Sequence, residues 1–160
     1  MAKIKGFQMK NIKNIPGREG YGCSATLYLN NKKIGTFADY GDGGPEVVEY
    51  ISEEAEADMM RVIIAHAKEV KNEFIINLYK HNPQMFDREC ERFKKAHPYI
   101  PDEDITMETM ASNSIVYIVE DFLRLQDLEK QFKKYKKKGY EIIRDENGKI
   151  YSSLDDFIVA

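Results

Sequence analysis

Between Tyr21 and Ala38 apolar and polar residues alternate with a period of two. Cys23, Ala25, Leu27 and Leu29 fall on one face of an extended strand, and Ser24, Thr26 and Tyr28 on the other. Asn30-Asn31 comes next, two residues that tolerate positive φ better than most, as a two-residue hairpin turn requires. Closing the hairpin there pairs Leu29 with Lys32, Leu27 with Ile34, Ala25 with Thr36 and Cys23 with Ala38, so that the apolar faces coincide. In that register Tyr28, Lys33 and Phe37 share the opposite face. An earlier strand is predicted over residues 3–12, where a change of phase at Gly6 predicts a bulge. Pro16-Gly17 and Gly20 mark the turn into the hairpin, and residues 46–51 add a short fourth strand.

Beyond Ile51 the period becomes helical. Ser52 is a good N-cap, and Glu53, Glu54 and Glu56 suit the positive end of a helix dipole. Ala55, Met59, Val62, His66, Val70 and Phe74 recur at steps of three and four, which predicts one helix from Ser52 to Lys80, closed by Asn82-Pro83. Pro83 suits the first turn of another helix over 83–96, which His97-Pro98 ends. A second long helix starts near Thr106 or Ser114 and runs to Lys138, with Ile115, Ile118, Phe122, Leu125, Leu128, Phe132 and Tyr135 as its buried stripe and Gly139 as its stop. Tyr140–Ile143 and Lys149–Tyr151 then flank Asp145-Glu146-Asn147-Gly148 as a hairpin, and the residues from Ser153 form a short helix or fray. The expected fold class is α+β: an N-terminal antiparallel sheet of three to four strands packed against a helical body with two long helices, plus a short C-terminal hairpin. Segments 1–51, 52–138 and 139–160 together make one compact domain.

Composition narrows the field. The chain has 160 residues, 42% of them hydrophobic and 32% charged, with 24 Lys+Arg against 27 Asp+Glu for a net charge of −3. No apolar run approaches the roughly 18 residues that a membrane span needs, so no membrane partner is expected. The opening MAKIKGFQMK lacks the apolar core of a secretion signal, and Cys23 and Cys90 are too few for a disulfide framework, so a reducing, cytoplasmic setting is expected. Charge is segregated. Residues 1–40 carry seven basic residues against Glu19 and Asp39, whereas residues 41–110 carry sixteen acidic and eight basic ones.

Several chemistries can be weighed. Tyr40-Gly41-Asp42-Gly43-Gly44-Pro45 is dense in glycine, but it lacks the spacing and the lysine of a phosphate-binding loop, and Asp42 would repel phosphate; a turn is the expected reading. His66, His81, His97 and Cys90 show no metal-ligand spacing, no nucleophile has a paired base, and no dinucleotide fingerprint occurs. No metal, no cofactor and no catalysis are therefore expected. Lys133-Lys134-Tyr135-Lys136-Lys137-Lys138 is read as a solvated helix C-terminus that complements the dipole, with Tyr135 on the core face.

YLNNKKIGTFADYGDGG, about a quarter of the chain with its flanks, resembles the N-terminal hairpin of small uncharacterised proteins encoded by phages and prophages. The resemblance implies a mobile-element origin and a short acidic protein that acts on host machinery; it brings no catalytic residue. Two functions follow as expectations. The first is a non-enzymatic inhibitor that occupies a host defence or nucleic-acid-processing protein through an acidic surface made of Glu53, Glu54, Glu56, Asp58, Asp102, Glu103 and Asp104. The alternative is a nucleic-acid-binding module that uses Tyr28, Lys33 and Phe37 on the basic sheet. A homodimer through the long helices would serve either.

Overall fold

A computed structural model describes residues 1–160. The fold is α+β, with a six-stranded mixed sheet and five α-helices. The chain forms two compact units, residues 1–49 with 119–160, and residues 50–118.

The sheet is larger than the alternation predicts. Its strands are β1 (Lys3–Ile4), β2 (Phe7–Pro16), β3 (Tyr21–Leu29), β4 (Lys32–Asp39), β5 (Val47–Tyr50) and, from the far end of the chain, β8 (Ile158–Val159), in the order β5-β4-β3-β2-β1-β8. Gly6 marks a reversal rather than the expected bulge. Lys5 and Gly6 adopt φ of 49° and 83°, and Ile4 pairs with Phe7 across a two-residue turn. β8 then adds parallel to β1, Lys3 opposite Ile158. The bulge of β2 lies further on: Asn11 has φ 55°, and residues 11 and 12 together oppose Ala25.

The hairpin turns where expected, with Asn30 and Asn31 at φ 50° and 67° and Leu29 opposite Lys32. Its register corrects the prediction beyond that point. Tyr28 pairs with Lys33 but Leu27 pairs with Gly35, so Ile34 is an extra residue in β4 and every later pair shifts by one. Ala25 therefore faces Phe37. Leu27 and Ile34 are both buried as expected, but Phe37 is buried too, 3% exposed, on the core face and not beside Tyr28. The physical reason is volume: the bulge brings both large apolar residues of β4, three positions apart, onto one face, which a strict period of two cannot do.

Gly22 shows how tightly β3 meets the loop after β4. A Cβ there would collide with the carbonyl oxygen of Asp39. Gly22→Ala is expected to destabilise the protein by about 1–3 kcal/mol, the usual effect of overpacking, which a thermal melt would register as a lower midpoint.

The sheet's core face holds Phe7, Met9, Leu27 and Phe37. α5 (Ile115–Lys137) packs on it through Phe122, which meets Phe7 edge to face at 5.8 Å. Ile118, Phe122, Leu125 and Phe132 of its predicted stripe are buried within the chain. α5 ends as a Schellman motif: Tyr140 N–H donates to the Tyr135 carbonyl and Gly139 N–H to that of Lys136. The tyrosine rings meet at 5.9 Å, and Tyr135 is 39% exposed, contrary to its expected place on the core face. The C-terminal hairpin is present as β6 (Ile143–Arg144) and β7 (Ile150–Tyr151). Residues 154–157 form a 3₁₀ turn, capped by Ser153, that delivers Phe157 between Phe132 and Tyr151.

In the second unit the predicted 52–80 helix is two helices, α1 (Glu53–Ala67) and α2 (Glu73–His81). Asn72 makes the break. Its side-chain oxygen accepts from Ile75 N–H as the N-cap of α2, while its amide donates to the Ala111 carbonyl and the Tyr117 hydroxyl. The stripe expected to run through Val70 and Phe74 is cut there, and Phe74 ends 72% exposed. α3 (Pro83–Ala96) matches its prediction, with Asn82 as cap. The start of the second long helix resolves into a separate turn, α4 (Met107–Ala111), closed by a Thr106–Thr109 capping box, before α5. Ile64, Ile76, Tyr79, Phe93, Ile100 and Met110 form the core of this unit.

Candidate functional site

Two surfaces answer to the sequence candidates, one in each unit. The first is the face of the sheet opposite Phe7 and Leu27. The ladder places Gln8 and Lys33 on either side of Tyr28, Lys10 opposite Thr26, and Lys13 opposite Ser24. Lys33 and Lys13 are exposed, and Tyr28, Thr26 and Lys10 half-buried. The Lys10 ammonium sits 4.4 Å from the centre of the Tyr28 ring. Towards β5 the face forms a trough of about 410 Å³, lined by Lys13, Ser24, Thr26, Thr36, Tyr40 and Glu49 among others. The face thus carries three lysines, an aromatic ring with a cation on it, a row of hydroxyls, and one carboxylate.

Of the three sequence candidates for this face, Tyr28 and Lys33 come together as neighbours and Phe37 is removed by the bulge. Lys10, Lys13 and Tyr40 were missed. Lys10 and Lys13 belong to β2, whose register on β3 depends on the bulge at residues 11 and 12. Their alternation with Met9 was the only available signal.

The glycine loop behaves as a turn. Its own carboxylates take its amides: Asp39 Oδ1 accepts from Gly41 N–H and Asp42 Oδ1 from Gly44 N–H, at 2.9 and 3.0 Å. Amides engaged this way are not free to cradle a phosphate.

The second surface is acidic. Glu53, Glu54 and Glu56 are exposed in the first turn of α1, where Ser52 Oγ accepts from Ala55 N–H. Cations are interleaved with the others. Asp58 pairs with Arg61 at 2.9 Å, Asp104 with Lys68 at 2.6 Å, and Asp102 with Lys94 at 3.5 Å. Glu53, Glu54, Glu56 and Glu103 make no ion pair. Tyr99 lies near both acidic stretches: the Arg61 guanidinium is 5.1 Å from its ring, and its hydroxyl meets His97 Nδ1 at 2.8 Å. Burial holds the His97 imidazole below its ordinary pKa, against the pull of Glu56.

Glu56 also bears on Tyr50. Burial, and after it the charges of Glu56 and Tyr99, push this phenol from 10.0 up to about 12. Because the folded value lies above the unfolded one, the folded state keeps this proton where the unfolded chain has lost it. The contribution is therefore complete below pH 10 and disappears as pH rises from 10 to about 12. Tyr50→Phe is expected to flatten that alkaline loss of stability, measured by urea unfolding across this pH range.

No three His, Cys, Asp or Glu side chains converge as a metal site would need. No helix is long and apolar enough to cross a membrane. The chain matches no protein-family model, no curated protein and no solved structure.

Proposed function

We propose that this α+β chain is a non-enzymatic binding protein that takes single-stranded nucleic acid on the outer face of its sheet. The observation that carries the reading is the Lys10–Tyr28–Lys33 cluster, with Lys13 one strand step further along an exposed, hydroxyl-rich surface. A phosphate that draws the Lys10 ammonium off the Tyr28 ring, with Lys33 holding a neighbouring one, leaves that ring face to a base. Thr26, Thr36 and Ser24 supply neutral hydrogen-bond partners along the trough. Tyr40, half exposed at the trough's end, offers a second ring in place of Phe37.

The test is fluorescence anisotropy of a short labelled single-stranded oligonucleotide over a salt series. Lys10→Ala and Lys33→Ala should each weaken binding and lower the salt slope by about 0.7, and Tyr28→Ala should weaken it by about 1–3 kcal/mol while leaving the slope in place. No binding at low salt, or three variants that bind like the parent, contradicts the proposal.

A second reading keeps the acidic surface, favoured by Glu53, Glu54, Glu56 and Glu103, which are exposed and carry no basic partner. In that reading the carboxylates stand in for phosphates on a nucleic-acid-binding protein of a host, the role that the resemblance to phage and prophage proteins implies. It predicts a complex that weakens steeply with salt. Asp58, Asp102 and Asp104, already paired with Arg61, Lys94 and Lys68, contribute little to it.

A further inference from the structure

We propose that the C-terminal end of α5 and the turn that packs on it form a docking surface for an anionic lipid bilayer. Lys133, Lys134, Lys136, Lys137 and Lys138 are all exposed at the end of α5, Lys133 with its ammonium paired to Glu129 at 2.8 Å, in a chain whose net charge is −3. A dipole-complementing helix end would need only one or two of them. Apolar surface is gathered at the same place. Leu154, 43% exposed, opens on a depression of about 360 Å³ rimmed by Lys133, Lys136 and Lys137, with Phe132, 1% exposed, buried beneath it. On the next side of the helix Lys134 and Lys138 flank the Tyr135 ring at 5.9 and 5.6 Å, and Tyr140, 63% exposed, meets it edge-on. The Schellman motif explains why the two tyrosines touch; it does not require two cations beside them. In the adjoining hairpin Ile150, opposite Arg144, and Ile142 are exposed as well.

The combination selects the partner. A phosphate polymer needs cations and has no use for exposed aliphatic side chains, whereas an anionic bilayer rewards both: lysine stems lie along apolar surface with their ammonium groups among headgroups, and tyrosines settle at the interface. Peripheral binding strengthens with both buried apolar area and attraction to anionic lipids, and this surface offers both. The absence of a membrane-crossing helix does not bear on it, because the contact is peripheral. The surface is distinct from the nucleic-acid face, since α5 covers the opposite side of the sheet.

The experiment is co-sedimentation of the full chain with vesicles of phosphatidylcholine, alone or with phosphatidylserine, at low and physiological salt. The expected result is pelleting with the anionic vesicles only, weakened by salt. Lys136→Gln with Lys137→Gln should lower partitioning roughly thirtyfold, at about 1 kcal/mol per lysine. Tyr140→Ser with Leu154→Ser, both at exposed positions, should also lower it while leaving its salt dependence in place. The proposal is overturned if no protein pellets with anionic vesicles at low salt, if pure phosphatidylcholine pellets it equally, or if the Ser variant partitions like the parent. It is overturned too if a single-stranded oligonucleotide strips the Lys10→Ala/Lys33→Ala protein from vesicles, which would make this end a phosphate-polymer surface.

Discussion

Phe37→Ala is expected to lower the free energy of unfolding by about 3–5 kcal/mol, the range for removing a fully buried phenylalanine and leaving its cavity. Thr36→Ala, one position away and exposed, should stay within about 0.5 kcal/mol of the parent. The contrast follows from one residue. With Ile34 as an extra member of β4, Phe37 stands opposite Ala25 on the core face and Thr36 opposite Thr26 on the outer one. In an unbulged hairpin Thr36 would oppose Ala25, and the ranking of the two variants would reverse. Urea denaturation of the pair reads this out directly, provided the slope of the transition is the same for both.

Asn72→Ala is expected to cost about 2–3 kcal/mol. Loss of the cap on α2 accounts for about 1 kcal/mol. The two donated bonds, to the Ala111 carbonyl at 3.2 Å and the Tyr117 hydroxyl at 2.8 Å, add about 1 kcal/mol each before relaxation. Asn72→Asp keeps the acceptor that caps the helix and loses the amide donors, so it should fall between the two. Thermal melts of the three proteins order them. Equal stability of Asn72→Ala and the parent would mean that α1 and α2 are separated by something other than this side chain.

What could be read from the sequence, and what could not, divides by range. The turn at Asn30-Asn31 was legible because its backbone demands residues of that kind in that place. α3 was legible because Asn82-Pro83 and His97-Pro98 bracket it. The bulge at Ile34 was half legible. Ile34 and Phe37 sit three apart, which no regular strand can put on one face, but Gly35 between them has no face preference, and an unbroken ladder satisfied Leu27 as well. The break between α1 and α2 also left a local mark, Asn72 followed by Glu73, outweighed by a stripe that continued through Phe74 into a region where nothing packs on it. β8 left almost none, since its pairing with β1 joins the two ends of the chain. The same holds for the candidate interface. Tyr28 and Lys33 lie on one hairpin and were readable, whereas Lys10 and Lys13 reach that face through a second register and a second bulge. The acidic candidates are exposed except Asp104, which is half-buried, and their cations come from positions as distant as 36 residues along the chain, from Lys68 to Asp104.

The most direct measurement on the account as a whole is an NMR titration of isotope-labelled protein with a short single-stranded oligonucleotide, followed residue by residue. Shifts concentrated at Lys10, Lys13, Thr26, Tyr28, Lys33 and Tyr40, with Phe37 and the first turn of α1 unmoved, are the predicted outcome. Shifts gathered instead around Glu53–Asp58, spread evenly over the surface, or absent at low salt would contradict it.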